Sequence, residues 1–91
     1  MAVEVHLPTL LRTHTGGVAT LPATGATVGD VFSEIVAVHP GLKGQLVDET
    51  GSLHKFVNVY VNDDDVRYLD QLETKLADGD VISILPAVAG G

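Results

Sequence analysis

One stretch of this chain has the spacing of an amphipathic helix, and strand-like stretches lie on both sides of it. Its apolar residues recur every three or four positions, at Val28, Val31, Phe32, Ile35 and Val38 or His39. Thr27, with Asp30 three residues later, resembles a variant capping box at the start. Pro40 disfavours continuing the helix through His39. The pattern predicts one helix over residues 28–38.

Two strands are predicted before this helix. Apolar and polar residues alternate through Val3, Glu4, Val5, His6 and Leu7, which is typical of a strand buried on one face. Pro8 ends this strand or marks a sheet edge, and Thr15-Gly16-Gly17 supplies turn residues. Residues 18–21 are then predicted to form a second, antiparallel strand.

Three strands are predicted after the helix. The strongest is Phe56-Val57-Asn58-Val59-Tyr60-Val61, in which the valines form one face and the other three residues form the opposite face. Turn residues at 62–64 precede a short strand at about 66–68, and residues 81–85 form the last strand. Between these strands, Leu69, Leu72 and Leu76 suggest a helical turn packed on the core. Residues 41–54 are interpreted as an ordered surface loop.

The resulting order, β-β-α-β-β-β, defines the expected fold class. It is an α+β domain in which a mixed sheet of four or five strands covers one main helix, the β-grasp arrangement that ubiquitin also has. The 91 residues suffice for one hydrophobic core. We predict a β-grasp domain over residues 1–85 and an extended, flexible tail over residues 86–91.

Composition and charge exclude several classes of function. The net charge is −7, and the five Lys and Arg residues are scattered, so nucleic-acid binding is not expected. An acidic surface favours a basic protein partner, although solubility alone also explains it. There is no apolar run long enough for a membrane span and no secretory signal, and cysteines are absent. A cytoplasmic location is therefore predicted.

The chain ends in Gly90-Gly91, directly after the last strand. An arbitrary chain ends in Gly-Gly about once in 200. The segment from Asp78-Gly79-Asp80 through the last strand to this ending resembles the C-terminus of the MoaD/ThiS family of sulfur carriers. The resemblance extends over the whole chain and includes residues 7–12 and 53–63. Within the family it is closest to the actinobacterial CysO-type carriers of cysteine biosynthesis.

The resemblance implies a chemistry at the Gly91 carboxylate, with Gly90 beside it. An E1-like activating enzyme of the MoeB/ThiF type would use ATP to adenylate this carboxylate. A sulfur donor would then convert the adenylate to a thiocarboxylate. A client enzyme, either a cysteine synthase-like enzyme or another thio-product synthase, would take the sulfur. The chain would therefore be a substrate of enzymes, with no active site and no bound cofactor of its own.

A docking surface for these enzymes is predicted on the open face of the sheet. If the valines of residues 57–61 face the helix, Phe56 and Tyr60 face away from it. Ile82 and Ile84 then point inward, which leaves Leu85 outward with Val81 and Ser83. An alternative is that residues 41–54 fold over this face. The remaining predicted partner contacts are tail residues, namely Pro86, Val88 and Ala89.

Other sites and functions were weighed against the carrier. The run Asp63-Asp64-Asp65 lacks the spacing of a calcium loop, and the four histidines show no zinc-binding spacing, so no metal is expected. No serine lies in a nucleophile motif. A ubiquitin-like modifier conjugated to lysines needs the same adenylation and stays open as an alternative. So do the small subunit of molybdopterin synthase and an interaction module with an inert tail.

Overall fold

The computed structural model describes residues 2–86, which form a five-stranded sheet with one long helix across one face. The strands are β1 (Ala2–His6), β2 (Thr20–Thr24), β3 (Val57–Val61), β4 (Asp64–Asp65) and β5 (Val81–Pro86). The α-helices are α1 (Thr9–Arg12), α2 (Val28–Val38) and α3 (Lys43–Leu46). Short 3-10 turns lie at Thr13–Thr15, Pro40–Leu42, Val66–Tyr68 and Gln71–Glu73. The predicted order of strands and main helix is confirmed.

The sheet is mixed, with the strand order β2-β1-β5-β3-β4. β1 and β5 are parallel, and His6 lies opposite Ser83. The other neighbouring strands are antiparallel, with Val57 opposite Pro86 in the pair of β3 and β5. A parallel central pair flanked by antiparallel neighbours is the mixed sheet that the sequence predicts.

Helix α2 has the predicted bounds and packs four buried side chains into the core. Its apolar stripe is buried at Val28, Val31, Phe32 and Ile35. The Thr27 hydroxyl accepts a hydrogen bond from the backbone N–H of Asp30 at 3.2 Å, which confirms the predicted cap. Gly29 in the first turn lets the segment at Leu72 approach closely, because a Cβ there would lie 3.1 Å from the Leu72 carbonyl oxygen.

The sheet packs the side chains of its inner face into the same core. The side chains predicted to point inward are buried, namely Val57, Val59, Val61, Ile82 and Ile84. The residues between them in β3 and β5 are partly or fully exposed. The alternation predicted from the sequence is therefore confirmed in both strands.

The interpretation of residues 41–54 as a surface loop is wrong. Leu42 and Leu46 are completely buried in the hydrophobic core, and Leu53 is also buried. The 3-10 turn Pro40–Leu42 runs directly into α3, so two leucines four residues apart point to the same side. Single leucines among glycines and charges do not show a periodicity in the sequence, which is why the pattern was misleading.

Two strand positions also differ from the prediction. β2 is displaced from residues 18–21 to Thr20–Thr24, and Pro22 is tolerated because β2 is an edge strand. The short strand predicted at about 66–68 is instead β4 at Asp64–Asp65. Residues 66–68 form a 3-10 turn because the Asp65 carboxylate accepts the backbone N–H of Arg67 at 2.9 Å.

Hydrogen bonds to a titratable carboxylate connect α2 to β2. The Glu34 carboxylate accepts hydrogen bonds from the Thr24 hydroxyl at 2.7 Å and the Thr24 N–H at 3.0 Å, which lower the pKa of Glu34 from 4.5. A lowered folded-state pKa stabilises the fold above the unfolded value, and that stabilisation is lost as the pH falls through the folded value. We expect Glu34→Gln, which keeps an acceptor, to reduce the fall in Tm between about pH 5.5 and about pH 3.5. Thermal melts of both proteins check this, and equal pH slopes would contradict it.

Candidate functional site

Three segments of the chain meet at one edge of the sheet. Because β1 and β5 are parallel, their C-terminal ends lie at the same edge, and antiparallel β3 begins there. Leu10 in α1, Phe56 before β3, and Leu85 and Pro86 at the end of β5 are brought together at this edge. We call these four residues the tail-root surface, because residues 87–91 continue from it.

The tail-root surface is apolar and exposed. The exposed fractions are 71% for Leu10, 59% for Phe56 and 48% for Leu85. Leu10 and Pro86 line two adjoining clefts, one shared with Phe56 and the other with Leu85. Contiguous exposed apolar side chains in a small domain are typical of a protein-docking surface.

Phe56 lies one residue outside the strand in which the sequence places it. It occupies the turn before β3, and its backbone N–H donates to His54 Nδ1 at 3.1 Å. The two rings have a centroid separation of 5.1 Å, and the Lys55 Nζ lies 5.3 Å from the Phe56 ring centroid. These contacts hold the exposed ring at the edge of the sheet.

Tyr60 is separated from the other predicted docking residues. It lies half-buried on the open face of β3, opposite Ser83 of β5 and Asp65 of β4, and lines neither cleft. The structure thus brings Phe56, Leu85 and Pro86 together without Tyr60. The alternative that residues 41–54 cover the docking residues is not what the structure shows, because their leucines enter the core and Phe56 and Leu85 remain exposed.

Arg67 is a residue of this edge that the sequence does not reveal. Its guanidinium donates to the Asn58 side-chain oxygen at 2.8 Å and to the carbonyl oxygens of Val57 at 2.7 Å and His54 at 3.0 Å. β4 pairs only with Tyr60 and Val61, so the first part of β3 has no strand on that side. The Arg67 guanidinium hydrogen-bonds to this uncovered part of β3 instead. It therefore fixes the strand that pairs with Leu85 and Pro86.

Leu10 and Arg12 were also missed as members of this site. Arg12 lines the same cleft as Leu85, and its Nε donates to the Leu7 carbonyl oxygen at 3.2 Å. A usable signal existed, because a parallel β1–β5 pair places the residues after β1 beside the end of β5. The exposed leucine in the short segment 9–12 then becomes a candidate for the edge.

Four of the predicted site residues, Val88, Ala89, Gly90 and Gly91, lie outside the described residues. Their predicted roles therefore stay predictions. The predicted division into residues 1–85 and 86–91 also stays a prediction. In the structure β5 ends at Pro86, which lies opposite Val57 in the sheet.

Neither a metal site nor a membrane helix is found in the described part of the chain. Over residues 2–86, no group of three or more His, Asp or Glu side chains is arranged to hold a metal ion. Asp65 of the acidic run instead accepts a backbone hydrogen bond, as described above. Among the same residues no helix is long and apolar enough to cross a membrane.

The arrangement defines a small ubiquitin-like β-grasp domain whose last strand ends beside an apolar, exposed surface. The family model of the ThiS family matches residues 5–91, and the chain belongs to that family. It is 52% identical to the sulfur carrier protein CysO of Mycobacterium tuberculosis, with 100% of both chains covered. The match confirms the predicted CysO-type resemblance.

Two further relatives extend the comparison. The structure matches the Amycolatopsis orientalis BexX/CysO complex with a TM-score of 0.90 and 53% identity, covering 98% of this chain and 99% of that one. Small archaeal modifier protein 3 of Haloferax volcanii is 46% identical over 72% of this chain and 71% of its own length. The CysO relatives that match over the full length are sulfur carriers, so the prediction of a sulfur-carrier protein that is not itself an enzyme is confirmed.

Proposed function

We propose that the carboxylate of Gly91 carries the sulfur, as a thiocarboxylate formed through an acyl-adenylate. A carboxylate oxygen attacks the α-phosphorus of ATP on an E1-like MoeB/ThiF-type enzyme, and pyrophosphate leaves. The sulfur of the donor, at the level of sulfide, then attacks the carbonyl carbon, and AMP leaves with the C–O bond electrons. ATP is consumed by the activating enzyme and is not a cofactor of this chain.

The residues of the tail suit this chemistry. A free carboxylate is a poor electrophile, so it needs a good leaving group before sulfur can attack. Gly90 and Gly91 have no Cβ atoms and can enter a narrow channel in backbone geometries that other residues avoid. Six residues from Pro86 span about 20 Å when extended, which is enough to reach into another protein's active site. Val88 and Ala89 are the proposed contacts along that channel.

The single observation that carries the proposal is the full-length similarity to CysO. At 52% identity over the whole of both chains, together with a family match that extends to residue 91, the likeness spans the segment that ends in Gly91. The geometry supports it, because the exposed tail-root surface lies where the last strand ends. The A. orientalis CysO was solved in a complex with BexX, which supports docking of this carrier type on a larger protein.

A pyrophosphate-exchange assay tests the adenylation step. The chain is incubated with the MoeB/ThiF-type enzyme of its host, ATP and labelled pyrophosphate. Label is expected to enter ATP only when the chain is present, because the acyl-adenylate forms reversibly on Gly91. A chain extended by one alanine after Gly91 should support no exchange. Equal exchange with both chains would refute the role of the terminal carboxylate.

The client is proposed to be an enzyme of cysteine synthesis that takes an activated serine. In that step the thiocarboxylate sulfur displaces the serine leaving group, and hydrolysis of the resulting thioester returns the Gly91 carboxylate. The resemblance to CysO supports this choice. Cysteine should form when the thiocarboxylated chain, the host's cysteine synthase-like enzyme and an activated serine are combined. If no candidate serine derivative yields cysteine, another thio-product synthase becomes the client.

Conjugation to lysines is the second candidate, and one observation favours it. The modifier protein 3 of H. volcanii shares 46% identity with this chain over 66 residues. Conjugation would use the same adenylate, with a lysine amine attacking in place of sulfur. Mass spectrometry of tryptic digests of host proteins distinguishes the two, by lysine residues that carry residues 76–91 of this chain, because Lys75 is its last tryptic site. Such adducts, lost in a strain lacking the chain, would establish the modifier function.

Truncation of the tail-root surface should weaken docking more than folding. We expect Phe56→Ala and Leu85→Ala each to raise the Kd for the activating enzyme by about tenfold, because both are exposed apolar anchors. Both should leave the unfolding free energy within about 1 kcal/mol. Val38→Ala is the matched control, since Val38 is 68% exposed and lines neither cleft. Binding titrations check this, and equal Kd values for all three variants would contradict it.

A further inference from the structure

The tail-root surface has a charge opposite to that of the whole chain. The sequence contains 12 Asp and Glu residues against 5 Lys and Arg, yet no carboxylate lines either of its two clefts. The titratable side chains that do line them are His6, Arg12 and His54. Glu4 contacts His6 at 3.1 Å, but its carboxylate lines neither cleft.

Three of the five cations surround this apolar edge. Arg12 lines one cleft, Lys55 lies against the Phe56 ring, and Arg67 holds the start of β3. The hydrogen bonds of both arginines, described above, go to neutral oxygens. Within residues 2–86 the ion pair found at 4.0 Å or less is between His6 and Glu4. Within residues 2–86, none of the three cationic groups therefore has a carboxylate within 4.0 Å.

The opposite edge of the sheet is acidic. Glu4, Asp78 and Asp80 line a cleft there that contains no Lys or Arg. Asp78 accepts the backbone N–H of Ala2 at 2.9 Å, and Asp80 accepts the side-chain amide of Asn62 at 3.2 Å, so both carboxylates are fixed at that edge. Asp78 and Asp80 thus lie at the end of the sheet opposite to the tail-root surface, whereas Glu4 also reaches His6 beside that surface.

From this arrangement we infer that the tail-root surface docks on an enzyme face of one kind: apolar side chains surrounded by carboxylates. Cations that are desolvated on docking need opposite charges on the partner, because a buried and unpaired charge is costly. The electric field of such an acidic face would also orient a domain with separated charge during approach. Its C-terminal residues would then point toward the entrance of the enzyme's active site. This inference deepens the proposed function and rests on it, since the activating enzyme is the proposed occupant.

The inference reverses what the net charge suggests. A net charge of −7 favours a basic partner when the surface is treated as uniform. At physiological ionic strength, salt screens charges that lie more than about 8 Å apart. The charge close to the contact therefore decides which partner fits. The partner that fits the tail-root surface is therefore acidic around its entrance, although the chain as a whole is acidic.

Two charge-reversal variants distinguish the effect of local charge on binding from the effect of net charge. Lys55→Glu places the change beside Phe56, whereas Lys75→Glu places it at an exposed residue whose backbone bridges to Thr27, near the acidic edge. Each takes the net charge from −7 to −9, because one positive charge becomes one negative charge. Arg67 is left intact, since its hydrogen bonds hold β3. The probe is the host's MoeB/ThiF-type enzyme without ATP, titrated at about 0.05 M and about 0.5 M salt.

Lys55→Glu is expected to raise the Kd by about tenfold at low salt and by about twofold at high salt. Lys75→Glu should stay within about twofold of the wild type at both. Equal effects of the two variants, tighter binding by Lys55→Glu, or no binding by the wild type would each overturn the inference. The intact mass after addition of ATP and sulfide is measured on the same samples. The expected binding pattern without any gain in mass would refute the proposed function while leaving the docking inference standing.

Discussion

Replacing Gly91 with phenylalanine is expected to abolish adenylation while leaving the fold intact. The side chain adds bulk next to the reacting carboxylate, and a misplacement of about 1 Å at a reacting group costs about a hundredfold in rate or more. The sheet and core are formed by residues 2–86, so the melting temperature should not change. Pyrophosphate exchange on the host's activating enzyme measures the first effect, and a thermal melt measures the second.

The matched control for this variant is Ala87→Phe, which adds the same bulk four residues from the carboxylate and outside the proposed channel contacts. Ala87→Phe should retain measurable exchange. An undiminished exchange rate for Gly91→Phe would contradict a role for this residue in a narrow active site. A lower melting temperature for Gly91→Phe would show that residue 91 contributes to folding.

Leu46→Ala is expected to destabilise the domain by about 3 kcal/mol, which lowers Tm by roughly 12–24 °C for a domain of this size. Leu46 is completely buried in the core although the sequence around it resembles a loop. Leu10→Ala is the matched control, because Leu10 is 71% exposed and the same truncation should cost less than about 0.5 kcal/mol. Urea or thermal unfolding of both variants checks the contrast.

A loss of stability in Leu46→Ala no larger than in Leu10→Ala would mean that α3 does not pack as the structure shows. In binding titrations, Leu10→Ala is expected to raise the Kd for the activating enzyme more than Leu46→Ala. Leu10 belongs to the tail-root surface, whereas Leu46 lines neither of its clefts. The two leucines therefore separate the contributions of the core and of the docking edge.

The parts of the fold that could be predicted are those with a strong local signal. The spacing of Val28, Val31 and Ile35 and the cap at Thr27 determined α2, and alternation determined the buried faces of β3 and β5. Long-range packing could not be predicted in the same way. Leu42 and Leu46 are buried because a short 3-10 turn and α3 bring them under the sheet, and such short elements leave no periodicity to detect.

The candidate site shows the same difference between residues with a local sequence signal and residues placed by long-range contacts. Phe56 and Leu85 were predicted from alternation in residues 56–61 and in the last strand, and Pro86 from its position after that strand. Arg67 could not be assigned, because its relation to the site depends on hydrogen bonds across distant segments. The positive charges near the tail-root surface could not be predicted for the same reason, since net charge contains no information on its distribution.

The intact mass of the chain tests the central claim most directly. The chain is incubated with the MoeB/ThiF-type enzyme of its host, ATP and sulfide, and fragmentation then locates any change. We predict a gain equal to the replacement of one oxygen by sulfur, located at Gly91 and dependent on ATP. An unchanged mass, obtained with an activating enzyme shown to be active on another carrier, would contradict the proposed sulfur chemistry with that enzyme and favour the modifier function.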